Sequence, residues 1–126
     1  MQARFRLRRP ADFARLRAIG TSRRHPLVIL SFAQNTLGHN RYGVVTTRRI
    51  GNAVVRNRAR RLMREALRHH HAQIRPGYDI VLIARAAIVG QQCAAVCDAV
   101  QNLLSRAALL VSTDCDAAQT AQEKGI

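Results

Sequence analysis

With 126 residues, of which 48% are hydrophobic, the chain is long enough for one domain with a modest core and too apolar for a disordered protein. No apolar run reaches the ~18 residues that a membrane-spanning helix needs. The N-terminal segment has cations but no apolar run after them, so we expect no secretory signal and a cytoplasmic location. The formal net charge of +14 predicts a polyanionic partner, nucleic acid before any membrane surface.

The pattern of apolar, glycine and proline residues predicts six elements in the order α-β-β-α-β-α. They are a helix from Pro10 to Gly20, a polar connection at 21–26, strands at 27–33 and 41–47, a helix from about 52 to 71, a strand at 78–84 and a helix at 91–110. Turn-forming residues between the first two strands predict an antiparallel hairpin. The strand at 78–84 is a continuous apolar run, which predicts burial on both faces. We therefore expect one α+β domain over residues 1–111, with a basic extended leader at 1–9 and a disordered tail at 112–126.

The helix in the middle of the chain carries most of the charge. Between Arg48 and Arg68 the sequence holds eight arginines against one carboxylate, Glu65. At about 100° per residue, apolar and charged side chains fall in opposite arcs of this helix, so that one face packs on a core and the other offers cations. The apolar arc comprises Val55, Ala59, Leu62, Met63 and Ala66, the polar arc Asn57, Arg60, Arg61, Arg64 and Arg68, and the two borders Arg56 and Arg58.

Repulsion within the polar arc distinguishes a binding surface from an ordinary solvated one. A solvated helix surface usually mixes the two signs of charge. Here Arg56 and Arg60, Arg60 and Arg64, and Arg64 and Arg68 are like-charge pairs, each costing roughly a few tenths of a kcal/mol. Because the face repels itself, a bound polyanion explains it better than solvent does.

The sequence offers no set of catalytic side chains. The seven carboxylates are scattered, with Asp79 standing alone, and no phosphate-binding loop motif is present. The histidines at 69–71 would suggest a metal, but consecutive helical residues point about 100° apart and cannot all bind one ion. The three cysteines, Cys93, Cys97 and Cys115, lack zinc-site spacing and are expected to be reduced. We therefore expect no active site within this chain, and any metal position is unknown.

Four stretches together are distinctive. They are R-L-R-R-P-A-D-F (Arg6 to Phe13), L-G-H-N-R-Y-G (Leu37 to Gly43), G-N-A-V-V-R-N-R-A-R-R-L-M-R-E-A (Gly51 to Ala66) and P-G-Y-D-I-V-L-I-A-R (Pro76 to Arg85). With the arginine pair just before Gly51, they closely resemble the protein component of bacterial ribonuclease P. The resemblance spans about residues 4–110.

This resemblance implies a fold and a division of labour. The fold is a small mixed sheet packed by helices, with a left-handed βαβ crossover. A large RNA subunit would cut the 5′ leader from precursor tRNA, with Mg²⁺ at the RNA active site. The protein, one copy per RNA, would assist this endoribonuclease by binding both the catalytic RNA and the leader.

The resemblance also assigns two sets of residues by position. The set contacting the catalytic RNA is Arg48, Arg49, Arg56, Asn57, Arg58, Arg60, Arg61, Arg64 and Arg68. A cleft between the first helix and the sheet would hold the single-stranded leader at Phe13 and Arg17. The family often has two aromatic residues a turn apart on this helix, and Arg17 stands at the second position. A guanidinium would then replace one stacking surface. Phe13 is equally compatible with a core position beside Leu16.

Two other functions fit the same charge. One is a ribosomal-type structural RNA-binding protein. The other is a DNA-binding protein with a helix in the major groove, which needs base-reading Asn or Gln near the start of that helix. Only Asn52 and Asn57 meet that requirement.

Overall fold

The computed structural model describes residues 6–7 and 10–111, and within them it has the α+β architecture that the sequence predicts. Its elements are α1 (Pro10–Ile19), β1 (Thr21–Arg24), β2 (Val28–Gln34), β3 (Arg41–Val45), α2 (Ala53–His70), β4 (Tyr78–Ala84) and α3 (Cys93–Arg106). Short 3₁₀ turns lie at His71–Gln73 and Ala86–Ile88. The predicted tail at 112–126 and most of the predicted leader lie outside the described residues. Among the described helices, none combines the length and the hydropathy that a membrane span requires.

The four strands form one mixed sheet in the order β1-β2-β4-β3. β4 pairs antiparallel with β2 and parallel with β3. The antiparallel hairpin predicted for the strands at 27–33 and 41–47 is therefore wrong, because these strands are β2 and β3, which lie on opposite sides of β4. A strand buried on both faces is most stable in the middle of a sheet, and β4 is the strand that the sequence marks as such. The β3–α2–β4 connection is the expected parallel βαβ unit, and its left-handedness stays a prediction.

The segment 21–26, predicted as a connection, contains a strand. β1 pairs antiparallel with β2, with Thr21 opposite Phe32 and Arg24 opposite Ile29. The side chains of β1 are mostly exposed, so the strand lacks the alternation of apolar and polar residues by which a half-buried strand is recognised in a sequence. Backbone hydrogen bonds to β2 hold this edge strand.

The helices cover the sheet on both faces. α2 and α3 pack together on one face, where the largest core cluster contains Leu30, Met63, Leu82 and Leu103. The buried residues of α2 are Ala59, Met63, Ala66, Leu67 and His70, whereas Val55 and Leu62 of the predicted arc are half-buried. α1 packs on the other face over a smaller cluster comprising Leu7, Leu16, Ala33 and Val81, with Phe13, Val45 and Ile83 packed against it.

The segment at residues 6–7 lies along the outer edge of β3. The Leu7 N–H donates to the Tyr42 carbonyl oxygen at 2.7 Å, and Arg6 forms a parallel bridge with Tyr42. This short segment therefore runs next to both the start of α1 and the exposed edge of the sheet.

Candidate nucleic-acid interface

α2 displays the predicted cationic residues because its N-terminus is well capped and its apolar arc is anchored in the core. The Asn52 side chain caps the helix by accepting from the Val55 N–H at 3.0 Å. Seven of the nine predicted RNA-binding residues lie on α2, and Arg48 and Arg49 lie exposed in the turn before it. On the helix itself Asn57, Arg58, Arg61, Arg64 and Arg68 are exposed, and Arg56 and Arg60 are half-buried.

The two borders of the arginine face meet different parts of the fold. On one border, Arg60 donates to Thr46 Oγ1 and to Asn57 Oδ1, both at 2.6 Å, which fixes its guanidinium near the end of β3. Arg56 lies on the same border, and its buried Nε has no hydrogen-bond partner within the described residues. Arg58 lies on the other border, beside a shallow apolar pocket that Val89 also lines.

Negative charge on this face is scarce. Glu65 accepts hydrogen bonds from Arg68 one turn away, and this interaction lowers the pKa of Glu65. Burial, together with the charges of Arg6 and Arg60, lowers the pKa of Arg64. Of the three like-charge pairs that the sequence predicts, repulsion between Arg60 and Arg64 is therefore present in the folded protein, whereas Arg68 is paired with Glu65.

The predicted leader residues lie on α1, one turn apart. Phe13 is half-buried above β3, where a Cβ added to Gly43 would lie 3.0 Å from two of its ring carbons. Glycine at this position therefore lets the ring approach the strand closely. Arg17 is exposed. Phe13 packs on the small core cluster and keeps part of its surface in solvent.

Asp79 does not stand alone, contrary to the sequence interpretation. It is fully buried and accepts from Arg41 Nε and Nη2 at 3.0 and 2.9 Å, from Arg15 Nη1 at 3.0 Å and from Asn35 Nδ2 at 2.9 Å. Arg41 also pairs with Asp12, with Nη2 3.2 Å from Oδ1. This network joins α1 to β3 and β4. The sequence did contain a signal for this network, since Asp79 lies inside the apolar run of β4. A charge buried in such a strand needs partners, so its position indicated that other residues would pair with it.

The partners of Asp79 also determine its ionisation. Burial by itself would raise the pKa of Asp79. Hydrogen bonds from Arg41 and Asn35, with the charges of Arg41 and Arg15, outweigh burial and lower the pKa below its ordinary value.

The histidines of the α2 C-terminus do not converge on one point. His70 is buried with Nε2 3.1 Å from the Cys97 carbonyl oxygen, whereas His71 Nδ1 lies 2.6 Å from the Tyr42 hydroxyl. Cys93 and Cys97 have their sulfur atoms 3.9 Å apart. Across residues 6–7 and 10–111, no group of three or more His, Cys, Asp or Glu side chains is placed to hold a metal ion.

Comparison with known proteins agrees with this geometry. The family model described as Ribonuclease P matches residues 1–108. The ribonuclease P protein component of Herpetosiphon aurantiacus is 42% identical over 109 residues, covering 86% of this chain and 89% of the relative. That of a Roseiflexus species is 40% identical over 115 residues, covering 90% and 94%.

Solved structures agree as well. The RNase P protein of Thermotoga maritima superimposes with a TM-score of 0.74 at 31% identity, covering 80% of this chain and 96% of that one. The Staphylococcus aureus RNase P protein gives a TM-score of 0.78 at 27% identity, covering 84% and 97%. These similarities do not favour a ribosomal-type structural protein. With a family match over most of its length and relatives above 30% identity, the chain belongs to the ribonuclease P protein family.

Proposed function

We propose that this chain binds the catalytic RNA of ribonuclease P through α2 and its approach, and the 5′ leader of precursor tRNA through the cleft beside α1. As a member of its family, the chain is a subunit of the ribonuclease P ribonucleoprotein for tRNA 5′ processing, and its partner is the ribonuclease P RNA. One protein binds one RNA in this proposal.

The observation that carries the proposal is the arginine face of α2. Its exposed side includes Arg61, Arg64 and Arg68, and the one carboxylate of the helix is already paired with Arg68. Guanidinium groups bind phosphate oxygens with two parallel hydrogen bonds, and their charge displaces counterions from RNA. A helix anchored in the core presents these groups on a rigid support, which favours binding to a folded RNA.

Catalysis in this proposal is carried by the RNA, with Mg²⁺ bound at the RNA active site. Support comes from the described carboxylates, since Asp12 and Asp79 are both paired with Arg41 and Glu65 is paired with Arg68. Among residues 6–7 and 10–111 this leaves Asp98, exposed on α3, as the only carboxylate outside an ion pair. Phosphodiester cleavage by two metal ions would need free carboxylates close together. The protein's part is to neutralise phosphate charge and to position the substrate.

The leader site in this proposal consists of the exposed side of Phe13 and the guanidinium of Arg17. An aromatic ring stacks on a base of any sequence, and a guanidinium either stacks or pairs with a phosphate. Together they would hold a single strand beside α1 with little base preference.

Reconstitution tests the proposed function directly. The protein is added to ribonuclease P RNA, and cleavage of precursor tRNA is measured while Mg²⁺ is lowered. We expect cleavage at Mg²⁺ concentrations at which the RNA alone is inactive, because the protein supplies part of the required positive charge. If the Mg²⁺ dependence is the same with and without the protein, the proposal is wrong.

A further inference from the structure

A small pocket lies between the N-terminal segment and α2. Its volume is about 80 Å³, and its walls include Tyr42 and Val44 of β3 and Leu67 of α2. Two charged residues also line it, Arg6 from the N-terminal segment and Arg64 from α2. Residues far apart in the sequence thus bring two cations to one enclosure.

The edge of β3 places Arg6 at this pocket. The hydrogen bond from the Leu7 N–H to the Tyr42 carbonyl oxygen holds the segment extended against the strand. Successive side chains of an extended segment point to opposite faces. Leu7 is buried with Leu16 on the α1 face of the sheet, so Arg6 is directed to the α2 face.

Nothing in the described protein neutralises this pair of cations. Neither Arg6 nor Arg64 belongs to any of the ion pairs found among residues 6–7 and 10–111. Arg60, one turn before Arg64 on α2, adds a third positive charge that acts on Arg64. Like charges that share a pocket are stabilised when an anion enters it.

We propose that Arg6 and Arg64 together bind a single RNA phosphate, so that the RNA-binding surface includes the N-terminal segment as well as α2. The inference rests on the proposed function and adds Arg6 to it. The pocket has room for one phosphate group, and two guanidinium groups from different elements supply donors on more than one side of it. RNA binding then fastens the N-terminal segment to α2.

The test compares Arg6→Gln, Arg64→Gln and the double variant for binding to ribonuclease P RNA across a salt series. Each single substitution should reduce the slope of log K against log salt by about 0.7–0.9, the value of one phosphate contact. Because both residues hold the same phosphate, the double variant should lose little more than either single variant. Full additivity of the two losses, or an Arg6→Gln slope equal to wild type, would overturn the shared site.

Arg106→Gln is the matched control. It removes the same charge from an exposed residue that contacts the Arg24 carbonyl oxygen of β1, at the opposite edge of the sheet. Its slope should match that of the wild type. If Arg106→Gln reduced the salt slope as much as Arg6→Gln does, the reduction would reflect the lower net charge of the protein, and the assignment of the pocket would be wrong.

A second measurement uses the free protein and inorganic phosphate. Phosphate should raise the melting temperature of the wild type and of Arg106→Gln more than that of Arg6→Gln or Arg64→Gln. Equal increases in all four proteins would contradict the site. A wild-type protein that fails to bind the RNA would refute the proposed function itself. A wild-type protein that binds with a steep salt dependence, together with an Arg6→Gln variant of the same salt slope, would refute only the shared phosphate site.

Discussion

Asp79 illustrates how one buried carboxylate sets the geometry of a surface that it does not reach. It lies on the α1 face of β4 and is opposite Arg41 in the β3–β4 register. Through Arg15 and Arg41, and through Asp12 beyond Arg41, it connects the central strand to α1. Phe13 lies on α1 between Asp12 and Arg15, so the network fixes the helix that carries the proposed leader site.

Removing this carboxylate should destabilise the fold. We expect Asp79→Ala to lower the free energy of unfolding by about 3–5 kcal/mol, because it leaves Arg41 partly buried without its main partner. Denaturant unfolding followed by circular dichroism measures the change. Asp98→Ala, which removes an exposed carboxylate from α3, is the control and should change stability by no more than about 0.5 kcal/mol. Equal losses in the two variants would contradict a structural role for the network.

The lowered pKa of Asp79 gives a pH dependence with a definite sign. Between the folded and unfolded pKa values, the unfolded state binds more protons, so stability rises with pH in that range. The contribution of Asp79 should be complete above the unfolded value of about 4 and should be lost as pH falls through the lower folded value. The free energy of unfolding, measured from pH 5 down to pH 2, should therefore decrease more steeply for the wild type than for Asp79→Asn. Parallel curves would mean that another group titrates.

At the scale of single elements, α2 divides its surface between core packing and the proposed RNA-binding face. Replacing Arg60, Arg61 and Arg64 simultaneously by Gln should reduce the slope of log K against log salt for RNA binding by about 0.7–0.9 per lost phosphate contact. It should also raise the Mg²⁺ concentration needed for cleavage, because metal ions must replace the missing charge. Filter binding and cleavage assays measure the two effects.

The control for this triple variant removes three exposed arginines away from α2, namely Arg75, Arg85 and Arg106. It should keep nearly the wild-type salt slope although its net charge is the same as that of the α2 variant. An α2 variant with an unchanged slope would count against RNA binding at this face.

α1 combines a packed side with an exposed side, and Phe13 belongs to both. Replacing Phe13 with Leu keeps an apolar side chain on the core but removes the flat ring. We expect it to weaken precursor tRNA binding by roughly 5-fold or more, the loss of a stacked base, and to affect mature tRNA much less. Affinities of the reconstituted enzyme for the two tRNAs provide the comparison. The same loss for both would assign Phe13 to the core alone.

The charge of the whole molecule governs how it associates with RNA. With a net charge of +14, the protein should bind many RNAs weakly at low salt. If the interface neutralises about six phosphates or more, affinity for ribonuclease P RNA should fall by about 10³ or more between 50 and 200 mM salt. A salt titration of the wild type measures this. A shallow dependence would point to an interface dominated by other contacts.

The elements of the fold followed from local sequence patterns to different degrees. The spacing of Ala59, Met63 and Ala66 identified the buried side of α2, and the apolar run of β4 identified a strand covered on both faces. β1 escaped detection because it is held by backbone hydrogen bonds and exposes most of its side chains. The pairing of β2 and β3 with β4 was also beyond reach, because turn signals report on neighbours in sequence while strand pairing is decided by competition across the whole sheet.

The sequence by itself determined the cationic face of α2, since helical periodicity and like-charge spacing are properties of one continuous segment. Only the tertiary structure decided which residues from elsewhere in the chain lie beside that face and which carboxylates lie away from it. Arg6 reaches Arg64 because the edge of β3 captures the N-terminal segment. Asp12 and Asp79 are kept on the opposite side of the sheet because they pair there with Arg41. Both outcomes depend on contacts between strands and helices that are remote in the chain, which no local pattern encodes.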